Sequence, residues 1–122
     1  MKRSNRALGA AGEALAAGYL EARGWRILAR NPRAGGVELD LVARRRNLLA
    51  VVEVKTRSSG FAGAGEEAVD AAKRARLVRG AGAWLQENPQ RGATVRFDVI
   101  VCERDARAWR VRHLEGAFDA GD

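Results

Sequence analysis

Gly36-Val37-Glu38-Leu39-Asp40-Leu41-Val42-Ala43, then Arg44-Arg45-Arg46-Asn47, then Leu48-Leu49-Ala50-Val51-Val52-Glu53-Val54-Lys55-Thr56-Arg57 is the stretch whose reading decides the fold. Its two flanks are rich in Val and Leu and alternate with period two, which predicts two strands. In the first, Val37, Leu39 and Leu41 fall on one face and Glu38 and Asp40 on the other. In the second, Leu48, Ala50, Val52 and Val54 share a face, and Glu53 and Lys55 share the opposite one. The polar link Arg44–Asn47 suits a hairpin. A turn centred between Arg45 and Arg46 sets Glu38 opposite Glu53 and Asp40 opposite Val51. Both acid faces then lie on one side of the sheet, with Asp40 and Glu53 diagonal neighbours roughly 7–8 Å apart. A slip of one residue would send the acids to opposite faces.

Like charges crowded on one face are unfavourable unless something neutralises them. A divalent cation is the simplest neutraliser, and Mg²⁺ takes oxygen ligands, often with only one or two protein carboxylates. Lys55, beyond Glu53 on the same face, is placed to orient a water or to stabilise developing negative charge. Together these groups are the equipment of metal-assisted phosphodiester hydrolysis. The competing reading is a solvated hairpin face with ordinary surface charges, since short acid-x-Lys patterns also arise by chance.

The chain has 122 residues, 47% of them hydrophobic and 30% charged, which fits one domain with one core. Its net charge of +7 points to a polyanionic partner, most simply nucleic acid; charge for solubility alone is the alternative. A membrane surface fits less well, because no helix sets large apolar residues against a Lys-rich face. Cys102 is the single cysteine, so no internal disulfide forms, a zinc site built on Cys pairs is excluded, and a reducing cytoplasm is expected. His113 is the single histidine, which argues against a His-based metal site or a Ser-His-Asp triad. No run is long and apolar enough to span a bilayer.

Along the chain, Met1–Asn5 reads as a mobile basic tail. Leu8–Arg23 reads as a helix, apolar nearly all round and stopped by Gly24. Glu13 is the exception in its apolar stripe, and a carboxylate there needs a partner: an arginine, or the hairpin's metal. Trp25–Arg30 reads as a strand ended by Asn31-Pro32. Ser58–Gly65 is a glycine-rich loop, either a plain connector or a flap over substrate. Glu66–Asn88 is predicted as a second long helix. Its Lys73, Arg74, Arg76 and Arg79 form either a solvated face or a phosphate-contacting stripe. Thr94–Cys102 is an apolar strand with Asp98 at its centre, taken as structural. Arg107–Leu114 is a final strand.

Asp40 with Glu53-Val54-Lys55 resembles the Asp…(Asp/Glu)-x-Lys motif of the restriction-endonuclease-like nuclease superfamily. More closely, the chain from Gly9 to Phe118 resembles the YraN family of small bacterial proteins, itself similar to archaeal Holliday-junction resolvases. The matching pieces run in order. They are Gly9-x-x-Gly12-Glu13, Glu38-Leu39-Asp40-Leu41, Val52-Glu53-Val54-Lys55-Thr56-Arg57, Glu67-Ala68-Val69 with Lys73, Arg96-Phe97-Asp98-Val99-Ile100 and His113-Leu114-Glu115-Gly116-Ala117-Phe118. One departure is visible: the family usually has Gly directly before its Glu-Ile-Asp-Leu, and Val37 stands there, after Gly35 and Gly36.

The expected architecture is α/β, in the order α-β-β-β-α-β-β, with a mixed twisted sheet flanked by helices, as the resemblance also implies. The expected function is a Mg²⁺- or Mn²⁺-dependent endonuclease acting on DNA, branched or structured DNA included. Asp40 and Glu53 would hold the metal, with the carbonyl of Val54 as a further ligand that the resemblance implies. Lys55 would serve the reaction and Glu13 would complete the site. Arg57, Lys73, Arg74, Arg76 and Arg79 would contact nucleic acid. Junction-resolving relatives imply a homodimer. The competing readings are a nucleic-acid-binding module with a silent or weak nuclease site, and a partner protein whose basic charge meets another acidic protein.

Overall fold

A computed structural model describes residues 2–58 and 69–120. The chain runs α1 (Lys2–Ala22), β1 (Arg26–Arg30), β2 (Arg33–Ala34), β3 (Val37–Glu38), β4 (Leu41–Arg45), β5 (Leu48–Ser58), α2 (Ala71–Glu87), β6 (Thr94–Arg104) and β7 (Trp109–Phe118). Five strands form one sheet in the order β1-β4-β5-β6-β7. Neighbours are antiparallel except β5 and β6, which α2 joins as a parallel pair. This is the mixed α/β architecture expected from the strand pattern, and it is consistent with the restriction-endonuclease-like fold that the resemblance implies.

The sheet is packed on both faces. Ala16, Ala17 and Leu20 of α1 cover Leu41, Ala43, Ala50, Val52, Ile100 and Cys102 on one side. Leu77, Ala81 and Trp84 of α2 cover Val42, Leu49, Val51, Val99 and Val101 on the other. Both faces of β5 are therefore apolar along its first half, where acid on one side and apolar residues on the other were expected. Each fully buried aliphatic side chain in these layers contributes about 1.5–3 kcal/mol. Glycine brings each helix close. A methyl group on Gly12 would overlap the side chain of Thr56 on β5. One on Gly80 of α2 would lie 3.0 Å from the Cβ of Val37. The bulk of Val37 is thus accommodated by a glycine on the helix side.

α1 begins at Lys2, ahead of the expected Leu8, because no proline or glycine interrupts the first residues. It is buried along one stripe only; Ala10, Ala11 and Ala14 face solvent, as small side chains can at little cost. It ends at Ala22, and Gly24 just beyond it, at φ +88, makes the left-handed turn that glycine adopts readily. α2 starts at Ala71, later than the expected Glu66. Asp70 caps it, its carboxylate accepting from the Lys73 N–H at 2.8 Å, which ends the helix ladder there. Glu66, Glu67, Ala68 and the glycine-rich loop lie outside the described residues.

Asp98, 1% exposed, sits in the middle of β6. Its carboxylate accepts two hydrogen bonds from Arg96 (both 2.9 Å) and one from the Gly116 N–H (3.0 Å), with His113 Nε2 at 2.7 Å. Arg96 and His113 rest in turn on Trp25 and Tyr19. Burial disfavours its charge, but these partners outweigh it and hold the carboxyl below its ordinary value. Asp98 thus has the structural role that the sequence reading gave it.

Candidate metal and nucleic-acid site

The hairpin register differs by one step of its turn from the expected one. Arg45 pairs with Leu48 and Leu41 with Val52, so the turn residues are Arg46 and Asn47, with Arg46 at φ +54. The strand before the turn also breaks. Val37 and Glu38 pair with Ala34 and Arg33 in a separate small hairpin, turned by Gly35 and Gly36 at φ +58 and +75. Val37 and Leu39 consequently pack on the α2 side, whereas Leu41 packs on the α1 side. The chain switches faces at Asp40. Glu38 stands opposite Arg33, not Glu53.

That switch places Asp40 one position beyond the last β4–β5 pair. Its Oδ2 accepts the Val54 N–H at 2.8 Å, so a side chain continues the ladder where the backbone of β4 leaves it. Asp40 also shares a hydrogen bond with Glu53, and it feels the charge of Glu13. The acids thus meet more closely than the diagonal arrangement expected. Glu53 comes from the α2 face of β5, where it is 8% exposed. Glu13 comes from α1, on the other face, fastened by Asn31 Nδ2 to its Oε1 at 3.1 Å. Asn31, at φ +51, also gives its main-chain N–H to the Asp40 carbonyl at 2.8 Å. Asn31 therefore ties two acids together, a role hidden behind its reading as a strand stop.

Burial, then the nearby charge of Glu53, push the Asp40 carboxyl up to about 7; the Val54 N–H opposes them in part. Lys73 from α2 holds Glu53 in an ion pair, Nζ to Oε2 2.7 Å. Lys73 therefore belongs to the acid site, and the Asp70 cap aims the start of its helix there. A cleft of about 270 Å³ opens over Asp40 and Glu53, with Glu38, Arg33, Lys73 and Arg76 around it. It balances three acids against three bases.

The other expected residues divide. Lys55 follows Glu53 by two on β5 and is half-buried beside Val101 of β6, outside the lining of this cleft. Val54 gives its N–H to Asp40. Arg76 lines the cleft, but Arg74 turns back to the Val69 carbonyl at 2.7 Å. Arg79 is exposed beside Gly35. Arg57 pairs with Glu103 at 3.7 Å and lines a separate groove with Arg110 and Arg112. The arginines of α2 do not form one stripe.

The donor set suits a hard cation that keeps most of its waters. Two touching carboxylates, one poorly stabilised as an anion, offer the one or two ligands such an ion often takes. Among the described residues, no group of three or more His, Cys, Asp and Glu side chains could cage an ion unaided. No described helix is long and apolar enough to cross a membrane.

Comparison with known proteins places this arrangement in a family. A protein from Parafrankia sp. is 45% identical over 117 residues, covering 95% of this chain and 99% of the relative. One from Geobacter metallireducens is 40% identical over 119 residues, 98% of each chain. One from Oleidesulfovibrio alaskensis is 46% identical over 102 residues, and there the match spans 50% of a longer relative. All three carry the name UPF0102 protein. The model described as "Uncharacterised protein family UPF0102" matches residues 12–102, from the glycine that seats α1 on β5 to the cysteine behind it, and the chain belongs to that family.

Proposed function

We propose that this protein is a Mg²⁺- or Mn²⁺-dependent endonuclease acting on DNA. The observation that carries the reading is the meeting of Asp40 and Glu53 at the end of β4, where burial and then the charge of Glu53 raise the Asp40 carboxyl to about 7. Asp40 and Glu53 would hold the ion, with the Val54 carbonyl as a further ligand. The ion would supply Lewis-acid stabilisation at a phosphoryl oxygen. The Val54 N–H holds the Asp40 carboxylate, and Asn31 holds the Asp40 main-chain carbonyl. Lys73 and Arg76 meet the phosphates at the mouth of the cleft. Lys55 supports the attacking water or the developing charge. Glu13 steadies the site from α1.

A second reading, a DNA-binding module with a silent site, draws support from Lys73, which already neutralises Glu53. Single-turnover cleavage of linear, flapped and four-way DNA in Mg²⁺ and Mn²⁺ separates the two. The nuclease reading expects metal-dependent cutting that Asp40→Asn abolishes, and that Lys55→Ala slows more than it weakens metal binding. Cutting by Asp40→Asn at the wild-type rate refutes the site. The same reading expects a homodimer presenting two sites. A monomer by light scattering at high concentration, with and without DNA, speaks against that.

A further inference from the structure

At the far end of β5 from Glu53, a second cleft of about 700 Å³ lies between the end of α1 and the β4–β5 turn. Arg23, Gly24, Arg45, Arg46, Asn47 and Leu48 line it, and none of these is acidic. Three guanidinium groups share the opening with no carboxylate among them. Like charges gathered this way repel unless an anion joins them.

Two of the three are held in position. Arg45 lies over the ring of Trp25 at 4.6 Å and donates from Nη1 to the Arg23 carbonyl at 3.1 Å. Arg23 lies over Tyr19 at 3.8 Å and donates to the Tyr19 carbonyl at 3.2 Å. Stacking of this kind orders a guanidinium before any ligand arrives while leaving donors over. A charge serving only solubility gains nothing from being ordered. Arg46 is exposed at the turn, and among the described residues its side chain makes no hydrogen bond or ion pair. The neighbouring Arg44 is different: its donors are spent on Gln90 and on the carbonyls of Arg46 and Arg91.

We propose that this cleft binds the phosphodiester backbone of a nucleic acid, as a contact separate from the acid site. Guanidinium forks match phosphate oxygens, and Asn47 adds a polar group for phosphate or sugar. The cleft is wide, open and built from side chains, whereas sites for a single small anion commonly use a nest of backbone N–H groups. From Leu48 to Glu53 is five residues of strand, about 17 Å. A strand touching both sites therefore extends at least about five nucleotide steps along a duplex. The inference rests on the reading of the chain as a DNA-binding protein, and not on its cutting DNA.

The test is fluorescence anisotropy with a duplex of about 20 base pairs, without divalent metal, from about 50 to about 200 mM salt. It compares the full-length wild type, Arg23→Gln/Arg46→Gln, and a control of equal charge change at the exposed β6–β7 end, Arg104→Gln/Arg107→Gln. Arg45 is left in place to keep its stack on Trp25. Loss of two phosphate contacts should lower the salt slope by about 1.5–2 and weaken binding about tenfold or more, with the control much closer to wild type. An unchanged slope in the first variant, or equal losses in both, overturns the inference and leaves the acid-site reading standing. No binding by wild type at low salt overturns both. Competition by inorganic phosphate as strong as that of the duplex, per phosphate, assigns the cleft to a small anion and overturns the nucleic-acid source.

Discussion

Asp40→Asn tests the electrostatics of the acid site without any appeal to activity. The ordinary carboxyl value is 3.8, and in the folded protein it rises to about 7. Between those values the native state holds a proton that the unfolded chain has given up, so native stability falls as pH rises through this window. A shift of about three units corresponds to about 4 kcal/mol, and sharing of charge with Glu53 makes about 2 kcal/mol the working figure. Asparagine has nearly the shape of the protonated acid. Its carbonyl can keep the Val54 N–H, and its amide can donate to Glu53. At about pH 8 the variant should therefore be more stable than wild type by about 2 kcal/mol, or about 7 °C in Tm for a chain of this size. At about pH 5 the window is only partly crossed, so the difference should fall to less than half, and it should vanish below about pH 4. Thermal melts of both proteins at the two pH values, in chelator, make the measurement. A gain equal at both pH values, or a wild type more stable at the higher one, refutes the reasoning. Added Mg²⁺ should then stabilise wild type and not the variant, because binding to the native state alone raises its stability.

Two further outcomes follow from packing and pairing. Gly12→Ala should cost about 1–3 kcal/mol in chemical denaturation, because its methyl group meets Thr56, and Thr56→Ala in the same chain should return most of the loss. Independent, additive losses would show that α1 is not seated there. Asp98→Asn should cost about 3 kcal/mol near neutrality, since it leaves Arg96 without its buried counter-charge. The Asp98 carboxyl lies below its ordinary value, so its contribution is present above about pH 4 and is lost in stronger acid. The gap between the two proteins should close there, and a gap independent of pH down to acid would argue against the charge.

The strands were legible because alternating Val and Leu define them locally, and the two helices because glycine and proline end them. What the alternation could not carry was the switch of faces at Asp40. Nothing in Leu39-Asp40-Leu41 marks it; it follows from Gly35 and Gly36 turning a separate small hairpin against α2. The turn itself was misplaced because Arg46 adopts a positive φ without being glycine or asparagine. The acids were legible by type and by family pattern, and their sharing of one side survived because the true register preserves the same parity. Lys73 as the partner of Glu53, and Asn31 as the link between Glu13 and Asp40, depend on tertiary approach. The one local sign was the Asp-x-x-Lys of the α2 cap, which announces where that helix begins. The arginines of the second cleft were legible only as charge, since their order comes from Tyr19 and Trp25, distant in role and silent in pattern.

The fork at which β4 departs from β5 leaves the Val54 amide dependent on a side chain for its protection. Every other rung of that ladder is backbone to backbone and opens only when the strands part. At Val54, a rotation of Asp40 is enough to expose the N–H to solvent. Hydrogen exchange at this one amide should therefore run far faster than at Val52 nearby, and should follow whatever engages the Asp40 carboxylate. The architecture supplies its own reporter: occupancy of the acid site can be read from a backbone proton, without substrate and without turnover.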